Sequence, residues 1–358
     1  MRVSRPSTAA GLALVAAAAL VAGCGAAAHR ADPPPRTTAP APALHAVLER
    51  HARVRSGVVA LAVSDGDLWV SGFGLVSRID PATGRVMATI ATGTGDFAQM
   101  AVGDGSIWVT DAARVPSAAK HTGAPDPVAV DRIDPATARV TAVIPVGGAT
   151  LGIAVGAGRV WVARPGPGRG VVLRIDPRTD RVAGPPITVG PGPGPLAYGE
   201  GRVWVENTAP ASLMRIDPTT ARATTVLGPA VLSPGEPVAG AVAVGYGSLW
   251  VTANGYLERL DPRTNRIVAN LRIPLANEIA VGAGAIWVLT EPRSTSATTL
   301  HPVRNTAELY QVSPRQDRAV GPPLDITATE PIALTATAKH VWVGDFPDTI
   351  TELRLNRR

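Results

Sequence analysis

Short apolar runs recur along the chain between turn residues, and seven tryptophans mark the repetition. Each tryptophan is followed by valine and preceded by leucine, isoleucine or valine, at a mean spacing of about 45 residues. A fixed period of 20–50 residues is typical of repeat architectures. The seven positions are Trp69, Trp108, Trp161, Trp204, Trp250, Trp287 and Trp342.

Each repeat contains four short β-rich runs. An apolar run such as 153–155 leads to a Gly-containing turn, then to the tryptophan run, then to an Arg-Ile-Asp-Pro motif, and a fourth run such as 139–144 follows. Turn pairs such as Asp65-Gly66 and Asp104-Gly105 suit two-residue hairpins. We name the strands a to d and predict an all-β, seven-bladed β-propeller of four-stranded antiparallel blades.

The ends of the repeat array predict how the ring closes. Prolines in or beside the fourth run, such as Pro145 and Pro274, place strand d at the outer edge of each blade, because proline cannot donate to a β-ladder. The seventh repeat ends at Asn356, before its own strand d. The segment 46–53 lies in the register of a strand d, so we predict that it completes blade seven. A helix over 43–53 is the alternative.

The repeat pattern carries a family resemblance. Residues 279–288 read Ile-Ala-Val-Gly-Ala-Gly-Ala-Ile-Trp-Val, and an Arg-Ile-Asp-Pro-x-Thr motif follows most tryptophan runs. This pattern resembles the YVTN-type repeats of bacterial seven-bladed propellers, relatives of streptogramin lyase and of extracytoplasmic propeller proteins, over residues 45–356. The resemblance implies the fold rather than one activity, because such folds serve many functions. The Gly-His and Trp-Asp markers of WD40 repeats are missing.

The first residues form a targeting segment. Arg2 and Arg5 precede an uncharged apolar run at 9–21, which suits a signal-peptide core. The run ends at Leu20-Val21-Ala22-Gly23-Cys24, which resembles the lipobox of bacterial lipoproteins and implies a lipid on Cys24; an ordinary secretory signal is the alternative. We therefore expect a signal peptide at 1–23, a Pro/Ala-rich tether at 24–42 and the propeller at 43–358, anchored outside the cytoplasmic membrane, or on the periplasmic side where a second membrane exists.

The composition limits the classes of partner and cofactor that the chain is expected to bind. The chain of 358 residues has one cysteine, which argues against disulfides and Cys-rich metal sites. Loss of the leader lowers the formal charge from +6 to +4, and no run of basic residues exceeds a pair, so no nucleic-acid partner is expected. No motif for a cofactor or a metal ion is found. We expect a monomer with a protein or small-molecule ligand.

Two recurring residue types could suggest ligand stacking or ion binding but suit structural roles. The tryptophans occupy equivalent positions on a central strand, so we predict that they pack between blades and that Trp-to-Ala changes unfold the protein. The motif aspartate is replaced by Ser313 and Asn356 in the last repeats, which fits a turn that closes onto backbone N–H groups. The histidines show no metal-binding spacing, and no His/Glu group aligned with the repeats supports a lyase.

The loops predict where a ligand binds. In an antiparallel blade the a–b and c–d turns lie on one face, and the b–c and d–a loops on the other. Two long b–c segments, about 110–130 and 290–308, fall on the second face. Scarce aromatic and charged residues are predicted there as a binding rim, with loop packing as the alternative role of the aromatics; the candidates are Phe73, Phe97, Tyr256, Phe346, His121, His301 and Glu291.

These observations favour a lipid-anchored binding or sensing scaffold that uses the b–c/d–a face. The rival interpretation is a lyase or hydrolase related to streptogramin lyase, which requires His121, His301 and carboxylates to converge at the channel mouth. A propeller that binds a quinone cofactor is a weaker alternative, because the Trp-docking motif of that family is missing.

Overall fold

The computed structural model describes residues 44–93, 98–110, 128–166, 168–208, 210–228, 240–292, 306–328 and 330–357. These residues form seven antiparallel sheets and contain no helix that is long and apolar enough to cross a membrane. The predicted all-β, seven-bladed β-propeller is confirmed.

The first three blades follow the predicted a-to-d order. Blade one contains β2 (Ala60–Ser64), β3 (Asp67–Ser71), β4 (Leu75–Asp80) and β5 (Arg85–Ala91). Blade two contains β6 (Met100–Gly103), β7 (Ser106–Thr110), β8 (Ala129–Asp134) and β9 (Arg139–Pro145). Blade three contains β10 (Gly152–Gly156), β11 (Arg159–Arg164), β12 (Val171–Asp176) and an outer strand in two pieces, β13 (Arg181–Val182) and β14 (Ile187–Thr188).

Blades four to six repeat this arrangement. Blade four contains β15 (Pro193–Gly199), β16 (Arg202–Thr208), β17 (Ala211–Ile216) and β18 (Ala223–Leu227). Blade five contains β19 (Val242–Gly245), β20 (Ser248–Ala253), β21 (Tyr256–Asp261) and β22 (Arg266–Arg272). Blade six contains β23 (Ala276–Gly282), β24 (Ala285–Thr290), β25 (Thr306–Ser313) and a divided outer strand, β26 (Arg318–Ala319) and β27 (Leu324–Thr327).

Blade seven is closed by the start of the described chain, as predicted. Its strands β28 (Pro331–Ala336), β29 (His340–Asp345) and β30 (Thr349–Arg357) are joined at the outer edge by β1 (Leu44–Arg53). β1 is antiparallel to β30 and pairs from Leu44 opposite Arg357 to Arg53 opposite Thr349. The segment is a strand rather than a helix, and it starts two residues earlier than predicted.

Proline explains why the outer strands are irregular. The fourth strand of blade three is interrupted at Gly184-Pro185-Pro186, and that of blade six at Gly321-Pro322-Pro323. Because proline lacks an N–H donor, such interruptions are tolerated only where no further strand must pair.

The core lies between the blades, and the tryptophans fill it. Each of the seven side chains is at most 2% exposed. In five blades the indole N–H donates to the carbonyl of the strand-a glycine five residues earlier, as Trp161 does to Gly156 at 2.9 Å. The prediction that these residues are structural is confirmed.

The Asp-Pro turns are closed by the aspartate side chain, as predicted. Asp80 accepts hydrogen bonds from the N–H of Ala82 at 2.8 Å and from the hydroxyl of Thr83 at 2.7 Å. These bonds lower the pKa of Asp80, and the corresponding turn bonds lower the pKa of Asp134, Asp176, Asp217 and Asp261. The carboxylates are therefore turn acceptors.

Arginines of the Arg-Ile-Asp-Pro motif connect neighbouring blades. Arg132 pairs across the ladder with Trp108, and its guanidinium carbon lies 5.1 Å from the indole centroid. Its Nη1 donates to the carbonyl of Pro177 in the next blade at 2.7 Å and contacts Asp180 at 2.9 Å. Arg78, Arg215 and Arg259 also donate to the next blade, whereas Arg174 donates to Pro185 of its own blade.

Candidate binding face

The strand order gives the ring two unlike faces. The a–b and c–d turns lie on one face, here called the turn face, and the b–c and d–a connections lie on the other, here called the loop face. The a–b turns are uniform, because in six blades both turn residues have positive φ, as in Asp65 (51°) and Gly66 (88°). The b–c connections range from residues 254–255 in blade five to residues 111–128 in blade two.

Two of the predicted rim aromatics contact each other on the loop face. Phe73 follows β3, Phe346 follows β29, and their ring centroids are 5.7 Å apart at an interplanar angle of 80°. The Phe73 side chain is 40% exposed, and Phe346 is half-buried. This edge-to-face pair spans the junction between blades seven and one and is partly exposed to solvent.

Local backbone contacts fix the position of this phenylalanine pair. The N–H of Phe73 donates to Ser56 at 2.6 Å, and that of Phe346 donates to Glu330 at 2.9 Å. Gly57, at a φ of 73°, lies directly beneath the Phe73 ring, and a Cβ added to it would be 2.6 Å from Phe73 Cδ2. The segment that follows β1 therefore packs against Phe73 and holds the pair in position.

A second exposed apolar group lies at blades five and six. Tyr256 is 37% exposed and begins β21, directly after the Asn254-Gly255 turn, so it is a strand residue rather than the predicted loop residue. Leu275 is 44% exposed, and its carbonyl accepts the N–H of Glu291 at 2.8 Å. The Glu291 side chain is exposed. The structure thus places Glu291 near a leucine that the sequence did not single out.

Leu275 is also held in an unusual backbone conformation. Its φ is 60°, in the left-handed region that bulky residues avoid. Such strain persists only where the surrounding structure imposes it, and it is frequent at binding sites. No sequence signal marks it beyond its place after Pro274 in a d–a connection. An exposed and strained leucine on the loop face makes this corner a candidate contact site.

Buried carboxyl groups lie beneath the loop face between blades four and five. Glu206 in β16 pairs with Leu213, and Glu258 in β21 pairs with Val251. Leu213 and Val251 belong to one hydrophobic cluster between these blades, so both carboxyl groups are directed into that interface. Glu206 is 2% exposed and Glu258 is 6% exposed. Neither residue is among the site residues predicted from the sequence.

Burial changes the protonation of both groups. Glu206 Oε1 accepts the N–H of Gly240 at 2.8 Å, whereas its Oε2 and the Oε2 of Glu258 have no hydrogen-bond partner among the described residues. Burial raises the pKa of Glu206 to about 7 and also raises the pKa of Glu258. Glu206 therefore changes its charge near neutral pH.

Several predicted site residues lie outside the described residues: Cys24, Phe97, His121 and His301. Across the described ranges, no three His, Cys, Asp or Glu side chains are grouped so that they could hold a metal ion. The Nε2 atom of His340 in β29 lies 3.8 Å from Oε1 of Glu352 in β30, both in blade seven. The convergence that the enzyme interpretation requires involves His121 and His301, and both lie outside the described residues.

A cleft runs along the junction of blades seven and one on the turn-face side. It is shallow and is lined by residues including Arg50, Trp342 and Glu352. Arg50 extends across it, with Nη1 3.9 Å from Glu352 Oε2. The cleft is therefore part of the ring-closing junction.

Comparisons with known proteins agree with this architecture. A family described as a repeat of unknown function (DUF6923) matches residues 152–299, which include most of blades three to six. No curated protein matches the chain. Many solved structures match the chain.

Three solved structures illustrate the similarity. The WD40 repeats of RRP9 are 10% identical at a TM-score of 0.62 and cover 88% of this chain and 99% of that chain. A chain of the mitotic checkpoint complex is 11% identical at a TM-score of 0.64, and it covers 92% of this chain and 98% of that chain. The extracellular domain of the hybrid two component system BT4673 from B. thetaiotaomicron is 16% identical at 0.61 and covers 87% of this chain and 42% of that chain. These similarities show the β-propeller fold.

Proposed function

We propose that this protein is a membrane-anchored, extracytoplasmic β-propeller that binds a protein or small-molecule ligand on its loop face. The observation that carries the proposal is the exposed Phe73–Phe346 pair on the variable face of an otherwise regular ring. Partly exposed aromatic residues on a rigid scaffold are frequent anchors of binding interfaces.

The remaining features of the loop face support a binding function. Tyr256 and Leu275 add exposed apolar area at blades five and six. The long b–c segments of blades two and six connect strands whose ends lie on the same face. Connections of this length on a regular scaffold are usually functional.

The location rests on the first residues and on one structural relative. The apolar run at 9–21 and the Leu-Val-Ala-Gly-Cys sequence ending at Cys24 support export and lipid attachment. The YVTN-like pattern supports a relationship with extracytoplasmic propellers. The similar domain of BT4673 is extracellular and belongs to a two component system, which supports a sensing or binding function outside the membrane.

The test is ligand capture by the immobilised mature chain. We expect the double variant Phe73→Ala/Phe346→Ala to lose most of what the wild-type chain retains from an envelope extract or a metabolite library. The control variant Met87→Ala/Val143→Ala removes exposed apolar side chains from the outer strands β5 and β9, and it should capture ligand as the wild type does.

Two results would contradict the proposal. One is unchanged capture by the phenylalanine variant while it keeps the wild-type circular dichroism spectrum and thermal midpoint. The other is equal loss by both variants, which would indicate nonspecific hydrophobic adsorption.

A further inference from the structure

Six arginines occupy one structural position around the turn face. In each of blades one to six an arginine stands five residues after the first residue of the c–d turn motif, at the start of strand d or, in blade four, directly before it, and all six are exposed. They are Arg85, Arg139, Arg181, Arg222, Arg266 and Arg318, here called the arginine ring. Because they are equivalent residues of similar blades, they lie at one level around the outer edge of the turn face.

These side chains are not used to hold the fold. Within the described part of the chain none of the six forms an ion pair, and only Arg318 donates a side-chain hydrogen bond, to Gln316 at 3.0 Å. The motif arginines differ, since Arg78, Arg132 and Arg259 are directed inward onto tryptophan rings and neighbouring turns. The arginine ring is therefore available to an external partner.

Five of the six opposite ends of these strands lack this charge. The last residues of the outer strands in blades one to six are Ala91, Pro145, Thr188, Leu227, Arg272 and Thr327. The exposed acids of the turn face lie on the a–b turns beside the channel, at Asp65, Asp104 and Glu200. Further out, the c–d turns carry Asp80, Asp134, Asp176, Asp217 and Asp261, whose carboxylates accept turn hydrogen bonds. At the outer edge of the turn face the six exposed arginines therefore stand beside carboxylates that are engaged within their own turns.

The chain reaches this face from its N-terminal side. β1 starts at Leu44 opposite Arg357, where β30 ends, and it runs toward the loop face at Arg53. Residues 25–43 therefore join the ring at its turn face. Fully extended, they span at most about 65 Å, so they let this face rest on a surface to which Cys24 is attached.

We infer that the turn face docks on an anionic lipid surface through the arginine ring, so that the loop face points away from the membrane. The inference rests on the proposed location for its role in the cell. Guanidinium groups bind phosphate oxygens through paired hydrogen bonds. A membrane fits better than an acidic protein because the positive positions form a ring on the face where the anchoring segment enters.

The test uses a chain of residues 44–358, which retains the closed ring and lacks the leader and tether. This protein is sedimented with phosphatidylcholine vesicles that contain or lack phosphatidylglycerol. We expect binding to the anionic vesicles alone, weakened strongly by added salt. Because the lipid site is absent, the result does not depend on whether Cys24 is modified.

Two triple variants distinguish binding through the turn face from a general effect of the net charge. Arg85→Gln/Arg139→Gln/Arg266→Gln changes the arginine ring, and each arginine near a membrane contributes about fivefold to binding. We expect at least a tenfold loss, allowing for uneven contact. The control Arg55→Gln/Arg169→Gln/Arg272→Gln removes the same charge from exposed loop-face positions and should stay within about twofold of the wild type.

Three outcomes would overturn the inference. They are no binding of the wild-type chain to anionic vesicles, an equal loss in both triple variants, and ring-dependent binding to polyglutamate or single-stranded DNA without binding to vesicles. Capture by the loop face is measured separately, so failure here leaves the proposed ligand binding intact.

Discussion

Arg50 in β1 donates a hydrogen bond from Nη2 to the carbonyl oxygen of Ala82 in the first Asp-Pro turn, at 3.1 Å. Its Nη1 lies 3.4 Å from the carbonyl oxygen of Pro81. In blade seven the residue opposite Trp342 is Glu352 instead of the motif arginine. The closing strand thus provides, from its outer position, the inter-blade arginine that strand c of blade seven lacks.

The inter-blade arginine bonds should contribute measurably to stability. Arg132→Met removes donors to Pro177, Asp180 and Ser106, and because these bonds are charge-assisted we expect a loss of about 2 kcal/mol in the free energy of unfolding. Arg174→Met is the matched control, since that side chain reaches only its own blade, and it should cost less than about 1 kcal/mol. Urea unfolding followed by tryptophan fluorescence measures both, and equal losses would contradict this role.

Glu206 should make stability depend on pH between about 4.5 and 7. Its pKa is raised by burial to about 7 from the ordinary value of 4.5, so the folded protein holds a proton that the unfolded chain has released in this range. The contribution of Glu206 to the free energy of unfolding is therefore fully present below about pH 4.5. It decreases as pH rises to about 7, by up to about 3 kcal/mol.

The variant Glu206→Gln isolates that contribution, because glutamine keeps an acceptor for Gly240 and does not titrate. We expect its unfolding free energy to be flatter than that of the wild type across this range. The turn aspartates act in a different range, since their lowered pKa values cause loss of stability only at acid pH. A variant profile parallel to the wild type from pH 4.5 to 7 would show that Glu206 is not the group involved.

We expect the strained conformation of Leu275 to lower the stability of the fold and to favour ligand binding on the loop face. Leu275→Gly relieves the left-handed backbone strain, so we expect the unfolding free energy to rise by about 1 kcal/mol while ligand capture on the loop face decreases. Leu151→Gly is the control, because Leu151 is 40% exposed and is not among the residues with positive φ. The free energy of unfolding of Leu151→Gly should instead be lower than that of the wild type by about 0.5–1 kcal/mol. Destabilisation of both variants would argue against strain at Leu275.

The fold was predictable because its signals repeat. Every copy of the tryptophan run and nearly every Asp-Pro motif reports the same strand and turn, and the missing outer strand could be found by register. The site was less predictable, since the phenylalanine pair was selected only by its place in two loops. Glu206 replaces the hydroxyl residue found at the equivalent positions Ser71 and Thr252, and its burial depends on packing between blades that the local sequence does not encode. Leu275 is marked only by a backbone angle.

Ring closure by residues 44–53 underlies the two faces, the phenylalanine pair and the arginine ring. The most direct measurement compares urea unfolding, followed by fluorescence of the buried tryptophans, for a chain starting at residue 44 and one starting at residue 54. We predict one cooperative transition for the first and a broadened transition at lower urea for the second, restored by adding a peptide of residues 44–53. Identical transitions for the two chains would contradict the account.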